Sequence, residues 1–269
     1  MSHPIDIYKA SRPPLPVPIT AMEIHNHIVN GLRNLLSLDC TSCLDPRFRG
    51  QYSQVLSLFD QYQREVISYS GMKRTCGKGC CACCFHWVED VNSFEAEIMT
   101  DTVRRFASKR IVHILNTAVE DIRKMEFLDR IVEAKLEETG LGETENIDST
   151  DLLLASYYQF RRACPLLDNG SCSIYSVRPL TCRIYMSFSD VARCSPDYIN
   201  TGDIPTYLLD LEEEANSLID QLHFRYIRYE GDTSLRSLLV SYLTDKPADI
   251  LLENEKDTSA QPMIRIRKT

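Results

Sequence analysis

The sequence contains no run approaching the roughly 20 apolar residues that a helix needs to cross a bilayer. Stretches such as Leu152-Leu153-Leu154 and Leu238-Leu239-Val240 are short pieces of amphipathic helices, so no membrane partner is expected. The opening residues, Met1-Ser2-His3-Pro4-Ile5-Asp6, lack the apolar region of a secretory signal; export is not expected, and the predicted compartment is the cytoplasm. Positive charge is in deficit. Thirty Lys and Arg against 38 Asp and Glu leave a formal net charge of −8, which disfavours nucleic acid as a partner, because such binding rests on a basic surface that displaces counterions. None of the ten glycines builds G-x-G-x-x-G or a P-loop, and G-x-S-x-G is missing. Neither a dinucleotide site, a phosphate cradle nor a serine nucleophile elbow is therefore indicated. No repeat at a fixed period is present, which excludes solenoids and propellers.

What the chain does have is cysteine. At 269 residues it can bury a substantial core without staples, so stability does not demand its eleven cysteines. Most of them fall in two clusters instead of being scattered through apolar segments, and that distribution points to chemistry.

The rest of the chain reads as helices. Residues 1–19 form a proline-rich lead-in, Ser11-Arg12-Pro13-Pro14-Leu15-Pro16-Val17-Pro18, which cannot be a helix interior. Residues 20–70 form a helical hairpin. One arm carries Ile24, Ile28, Leu32 and Leu35 and the other Tyr52, Val55, Phe59, Tyr62 and Val66, all at helical spacing, with a turn between them holding Cys40 and Cys43.

Residues 71–243 carry the cysteine clusters and further helices. Asn92 followed by Glu95 is a capping-box pattern that starts a helix running to about Ser108. Ile111, Leu115, Ala118, Ile122, Met125, Leu128 and Ile131 line a long helix that ends near Gly140. An acidic loop follows. A shorter helix starts at Asp151, another is marked by Leu208, Leu211, Ala215, Leu218 and Leu222, and the last runs from Ser234 to Leu243. Residues 244–269 are a polar tail, closing on an alternating Met263–Lys268. The expected fold class is mainly α, with an irregular cysteine-rich metal-binding centre packed among helices.

The first cluster, Cys76-Gly-Lys-Gly-Cys80-Cys81-Ala-Cys83-Cys84, places five sulfurs within nine residues, with two glycines where the chain must bend. Thiolates so spaced can converge on zinc or on an iron–sulfur cluster; a redox dithiol or a vicinal disulfide at Cys83-Cys84 is the alternative. The second cluster spaces Cys164, Cys172, Cys182 and Cys194 by seven, nine and eleven intervening residues. Arg161, Arg162, Arg178, Arg183 and Arg193 lie close to it in sequence, either as charge that offsets thiolates or as a solvated basic face.

The run Cys164-Pro-Leu-Leu, with Cys172-Ser-Ile-Tyr-Ser-Val-Arg178-Pro-Leu-Thr-Cys182-Arg, resembles the cysteine-cluster family often called YkgJ-type, described as zinc- or iron-chelating domains. The C-x3-C-x2-C-C pattern of that family is met by Cys76, Cys80, Cys83 and Cys84, and the resemblance spans roughly residues 70 to 195. It implies that these four residues and Cys164, Cys172 and Cys182 are metal ligands, joined by Cys194. It also implies that Arg178 and Tyr185 support the bound cofactor by hydrogen bonds.

Eight sulfurs suffice for two four-thiolate sites or for a cluster plus a metal. Some members of the family resemble flagellin lysine methylases, to which an iron–sulfur cluster is attributed. On that ground the resemblance favours an iron–sulfur cluster of the 4Fe-4S type ahead of zinc. It also raises an enzymatic alternative, a cluster-dependent methylase that uses S-adenosylmethionine on a protein substrate. Cys76-x3-Cys80-x2-Cys83 has the spacing of radical S-adenosylmethionine enzymes, although Ala82 stands where those enzymes usually have an aromatic and helices, not a βα barrel, are expected around it. A zinc-stapled interaction domain is a third reading.

Cys81 lies outside the family pattern and is expected to be a bystander. Cys40 and Cys43 are a lone pair and a weak zinc signal. His86 is expected to be a packed histidine beside Trp87 and not a ligand, and His25 and His27 are expected on the surface of their helix.

Overall fold

The computed structural model describes residues 15–75, 77, 79–139, 149–188, 191–194, 206–209, 211–249 and 251–252. Cys76, most of the proline-rich lead-in, most of the acidic loop after Gly140 and the alternating 263–268 segment lie outside the described residues.

The chain is mainly α. Helix α1, Ile19–Ser37, and α2, Pro46–Ser70, form the expected hairpin. Asp45 caps α2 by accepting from the Arg47 N–H at 2.8 Å, Pro46 takes the first-turn position where its missing N–H costs nothing, and Gly71 ends the helix with φ 69°. The arms meet through Ile28, Leu32 and Leu35 on α1 and Val55, Phe59 and Val66 on α2, all buried. Their closest approach is at Gly31, where a Cβ would lie 2.8 Å from Val55 Cγ2.

Helix α3, Ser93–Val103, starts at the Asn92/Glu95 capping box. It ends at Val103, short of the expected Ser108, and a turn resets the chain into α4, Ser108–Thr139. Helix α5, Ser149–Gln159, packs on α4. After the cysteine loops come α6, Thr181–Ile184, then α7, Glu213–Arg225, and α8, Leu235–Thr244. Helix α7 packs on α1, and α8 packs on α3 and α4.

Two short antiparallel pairs were not anticipated by the periodicity: β1 (Leu167–Asp168) with β2 (Ser171–Cys172), and β3 (Tyr185–Ser187) with β4 (Thr206–Leu208). Leu208 therefore belongs to a strand opposite Tyr185 and not to the helix its spacing suggested, which begins only at Glu213.

His25 also departs from expectation. It is 5 % exposed, its Nε2 accepts from the Glu212 N–H at 3.2 Å, and its ring lies 5.9 Å from that of Tyr62. The docking of the α7 segment on α1 buries this face.

The apolar interior divides in two. One core joins α1, α2 and α7 and takes in Phe94, Leu180 and Met186; the other joins α3, α4, α5 and α8 and takes in Trp87, Leu166 and Ile174. Residues 164–187 run along the seam, anchored in both cores, and Val177 touches each.

Candidate metal centre

The first cysteine segment is a pair of tight turns. The Cys80 N–H donates to the Gly77 carbonyl at 3.0 Å, with Gly79 at φ 92°, a backbone conformation that favours glycine. A single 3-10 turn follows over Ala82–Phe85, closed by Cys84 N–H to the Cys81 carbonyl at 3.0 Å and His86 N–H to the Cys83 carbonyl at 3.2 Å. This turn is tied to the second cluster directly. The Cys164 N–H donates to the Cys84 carbonyl at 2.6 Å.

The second segment is shaped by its own sequence. Asn169 and Gly170, at φ 47° and 74°, form the two-residue loop of the β1–β2 hairpin, a conformation that Asn-Gly adopts with little strain. The hairpin sets Cys172 opposite Leu167. Arg183, 4 % exposed, clamps the return path: Nε donates to the Arg178 carbonyl at 3.0 Å, Nη2 to the Ser176 carbonyl at 3.0 Å, and Nη1 to both Asp60 oxygens at 3.0 and 3.1 Å. Gln63 Nε2 donates to the Arg183 carbonyl at 2.6 Å, and the Leu180 N–H donates to buried Glu95 at 2.8 Å. The hairpin of α1 and α2, together with α3, thus holds the loop that carries Cys172 and Cys182.

These turns bring the two cysteine segments together, so that the charges of Cys83, Cys164 and Cys172 act on Cys84 and on Cys182. Cys84 donates a hydrogen bond to Cys83, which lowers the Cys83 thiol to about 7 with help from the Arg178 guanidinium. The same bond and burial push Cys84 far up, and the charges of Cys83, Cys164 and Cys172 add to this. Burial raises Cys164 and Cys172. It raises Cys182 well above the ordinary thiol range, reinforced by Cys164, Cys83 and Cys172. The vicinal pair Cys83-Cys84 consists of hydrogen-bonded thiols, not a disulfide.

Cys80 is half-buried in the turn just before this group. The 3-10 turn Val191–Cys194 packs on the Ala82–Phe85 turn, and the Cys194 carbonyl accepts a hydrogen bond from the Tyr158 hydroxyl. Cys81 is half-buried in the first segment. Cys40 and Cys43 lie elsewhere, in the α1–α2–α7 core, where Cys43 Sγ donates to Glu97 at 3.0 Å and Cys40 Sγ contacts the Tyr226 hydroxyl at 3.3 Å.

Arg178 lies 4.4 Å over the Tyr175 ring, and its charge acts on Cys83, Cys172 and Cys182. Arg183 acts on Cys172, while Arg162 is engaged with Glu120 and Asp121. His86 stacks on Tyr158 at 3.9 Å and sits 5.4 Å from Tyr185; burial pushes its pKa down to about 4, so it is neutral at neutral pH. Tyr185 belongs to this stack of rings.

Asp121 and Arg236 went unnoticed in the sequence. Each is a charged residue set among apolar neighbours of its helix, Ala118 and Ile122 in one case, Leu235 and Leu238 in the other.

No three or more His, Cys, Asp or Glu side chains among the described residues are closed to the spacing of metal ligands. The donor chemistry nonetheless suits a soft cation. Burial and the charge of neighbouring thiolates hold Cys84, Cys164, Cys172 and Cys182 in the thiol form, and a bound cation would reverse that balance by favouring thiolates. Cys83, Cys84, Cys164, Cys172 and Cys182 would hold it.

Fold and site together define a mainly helical protein with a cysteine-rich centre. Residues 75–200 match the CxxCxxCC family model, described as "Putative zinc- or iron-chelating domain". Comparisons with curated proteins and with solved structures find no significant match. Among the described residues no helix is long and apolar enough to cross a membrane.

Proposed function

We propose that the chain is an iron–sulfur protein whose cluster is of the 4Fe-4S type, held by thiolates drawn from Cys83, Cys84, Cys164, Cys172 and Cys182, with Cys76, Cys80 and Cys194 completing the donor set. The observation that carries this reading is the junction of the two cysteine segments, where the Cys164 N–H donates to the Cys84 carbonyl at 2.6 Å. Zinc and a 4Fe-4S cluster each take four thiolates, so ligand number does not choose between them; the resemblance to flagellin lysine methylases, to which an iron–sulfur cluster is attributed, supports iron–sulfur. The proposed compartment is the reducing cytoplasm, where such thiols stay available.

Anaerobic purification followed by metal and acid-labile sulfide analysis tests the proposal. The expected sample is brown, with iron and sulfide in equal amounts, and loses both when Cys83, Cys164, Cys172 or Cys182 is changed to Ser, while Cys81→Ser keeps them. A colourless protein holding only zinc overturns the iron–sulfur reading, and full metal retention in all four variants overturns the site. Titrating the brown sample with S-adenosylmethionine tests the methylase alternative. A spectral change that Cys80→Ala and Cys83→Ala abolish supports cluster-dependent methylation of a protein, whereas no response leaves a non-enzymatic metal-binding module.

A further inference from the structure

Arg236 lies in the first turn of α8, outside the matched segment 75–200. It is fully buried, yet only Nε is satisfied, donating to Asp121 Oδ2 at 2.8 Å. Its guanidinium sits 4.8 Å over the Trp87 ring and 5.3 Å over that of Tyr157. Nη1 and Nη2 are shut away from solvent without a hydrogen-bond partner among the described residues. A buried donor left unmet costs about 1–3 kcal/mol, and more when charged, so an arginine placed this way calls for an anionic partner.

Asp121 does not fully neutralise it. That carboxylate, itself completely buried, is shared with Arg162, so two guanidiniums meet one buried anion, and Glu120 offsets Arg162 only at the exposed end. The flanking rings identify what Arg236 faces. Trp87 follows the first cysteine turn, Tyr157 stands on the helix leading into Cys164, and both rings belong to the core against which Cys164, Cys172 and Cys182 pack. Arg178, set over the Tyr175 ring within the loop between Cys172 and Cys182, likewise keeps a buried, unpartnered Nε.

We infer that Arg236 is a positioning residue of the metal centre: from outside the matched segment it supplies the buried positive charge and spare N–H groups that face the anionic thiolate centre on its Cys164 side. The inference rests on the metal-centre reading of Cys164. Two guanidiniums then bracket the thiolates, one from within the cysteine loop and one from α8, and the matched segment depends on a helix beyond its own boundary for charge balance.

The test measures Co²⁺ affinity of the full reduced chain by thiolate-to-metal absorbance at one fixed pH, alongside thermal stability, for wild type, R236M, R236K and D121N. R236M is expected to bind about 10–100-fold more weakly, the range typical of outer-shell partners of metal ligands. R236K is expected to recover most of that loss, and D121N, which removes the opposing anion, to bind at least as tightly as wild type. Wild-type affinity in R236M overturns the inference while leaving the metal centre standing. Parallel loss of affinity and stability in R236M and D121N also overturns it, since that is the signature of a purely structural ion pair. Failure of wild type to bind Co²⁺ removes the metal-centre reading and the inference together.

Discussion

Replacing Arg183 by methionine should destabilise the chain far more than replacing its ion-pair partner Asp60 by asparagine, because the guanidinium works mainly as a clamp on backbone carbonyls. The Arg183 side chain is 3 % exposed, while that of Asp60 is 41 % exposed. The pair itself therefore lies close to water and is worth about 0–1 kcal/mol. Losing Arg183 strips the donors from the carbonyls of Ser176 and Arg178, both in the partly buried loop before Cys182. Each abandoned acceptor costs about 1–3 kcal/mol, and methionine restores only the packing of the stem. The sum is about 2–6 kcal/mol for Arg183→Met. Asp60→Asn keeps an oxygen acceptor for Nη1 and removes a charge at the exposed end of the pair, so about 1 kcal/mol or less is expected. Denaturant titration of the reduced, metal-free chain reads both values without the added stability of bound metal. Equal losses in the two variants, or less than about 1 kcal/mol in Arg183→Met, would refute the clamp as what positions Cys182.

Gly31→Ala should destabilise the α1–α2 hairpin by about 1–3 kcal/mol even though alanine gains about 1 kcal/mol of helix propensity, because the added Cβ meets Val55 Cγ2 at 2.8 Å. A double-mutant cycle with Val55→Ala, read by thermal denaturation, should show favourable coupling; strict additivity would contradict the close approach. His223 Nδ1 accepts from the Ser93 N–H at 3.1 Å, and burial lowers its pKa below the usual 6.5, partly offset by Asp220. With the folded value below the unfolded one, its contribution is fully present above about pH 6.5 and is lost as pH falls through that range. His223→Gln should therefore flatten the fall in stability between about pH 7 and 5, and an unchanged slope would exclude this histidine as the cause. Cys43→Ala should lower stability by about 1–2 kcal/mol through lost packing and hydrogen bonding without altering metal content. Metal loss in that variant would place Cys43 in the centre after all.

Much of the helical frame was legible in the sequence because its signals are local. The capping box at Asn92 and Glu95 and the apolar faces of α1, α2 and α4 depend on residues three and four apart, and they start and orient helices wherever the chain goes. The metal-binding character of the centre was legible for the same reason, since closely spaced cysteines can converge through short turns. Local signals also misled: Leu208 kept helical spacing but pairs with Tyr185 across a sheet, and His25 read as a surface residue until α7 covered it.

Tertiary structure decided how the two cysteine segments are brought together. Cys40 and Cys43 have a spacing as suggestive as any other C-x-x-C pair, yet the hairpin turns them into a separate core. Cys83 and Cys84 join Cys164, Cys172 and Cys182 only because α3, α4 and α5 pack so that the chain returns to donate the Cys164 N–H to the Cys84 carbonyl. Asp60, Gln63, Asp121 and Arg236 carry no motif. Their roles arise where burial leaves a charge or carbonyl needing a partner, a condition set by contacts far apart in the chain and therefore invisible to any pattern read along it.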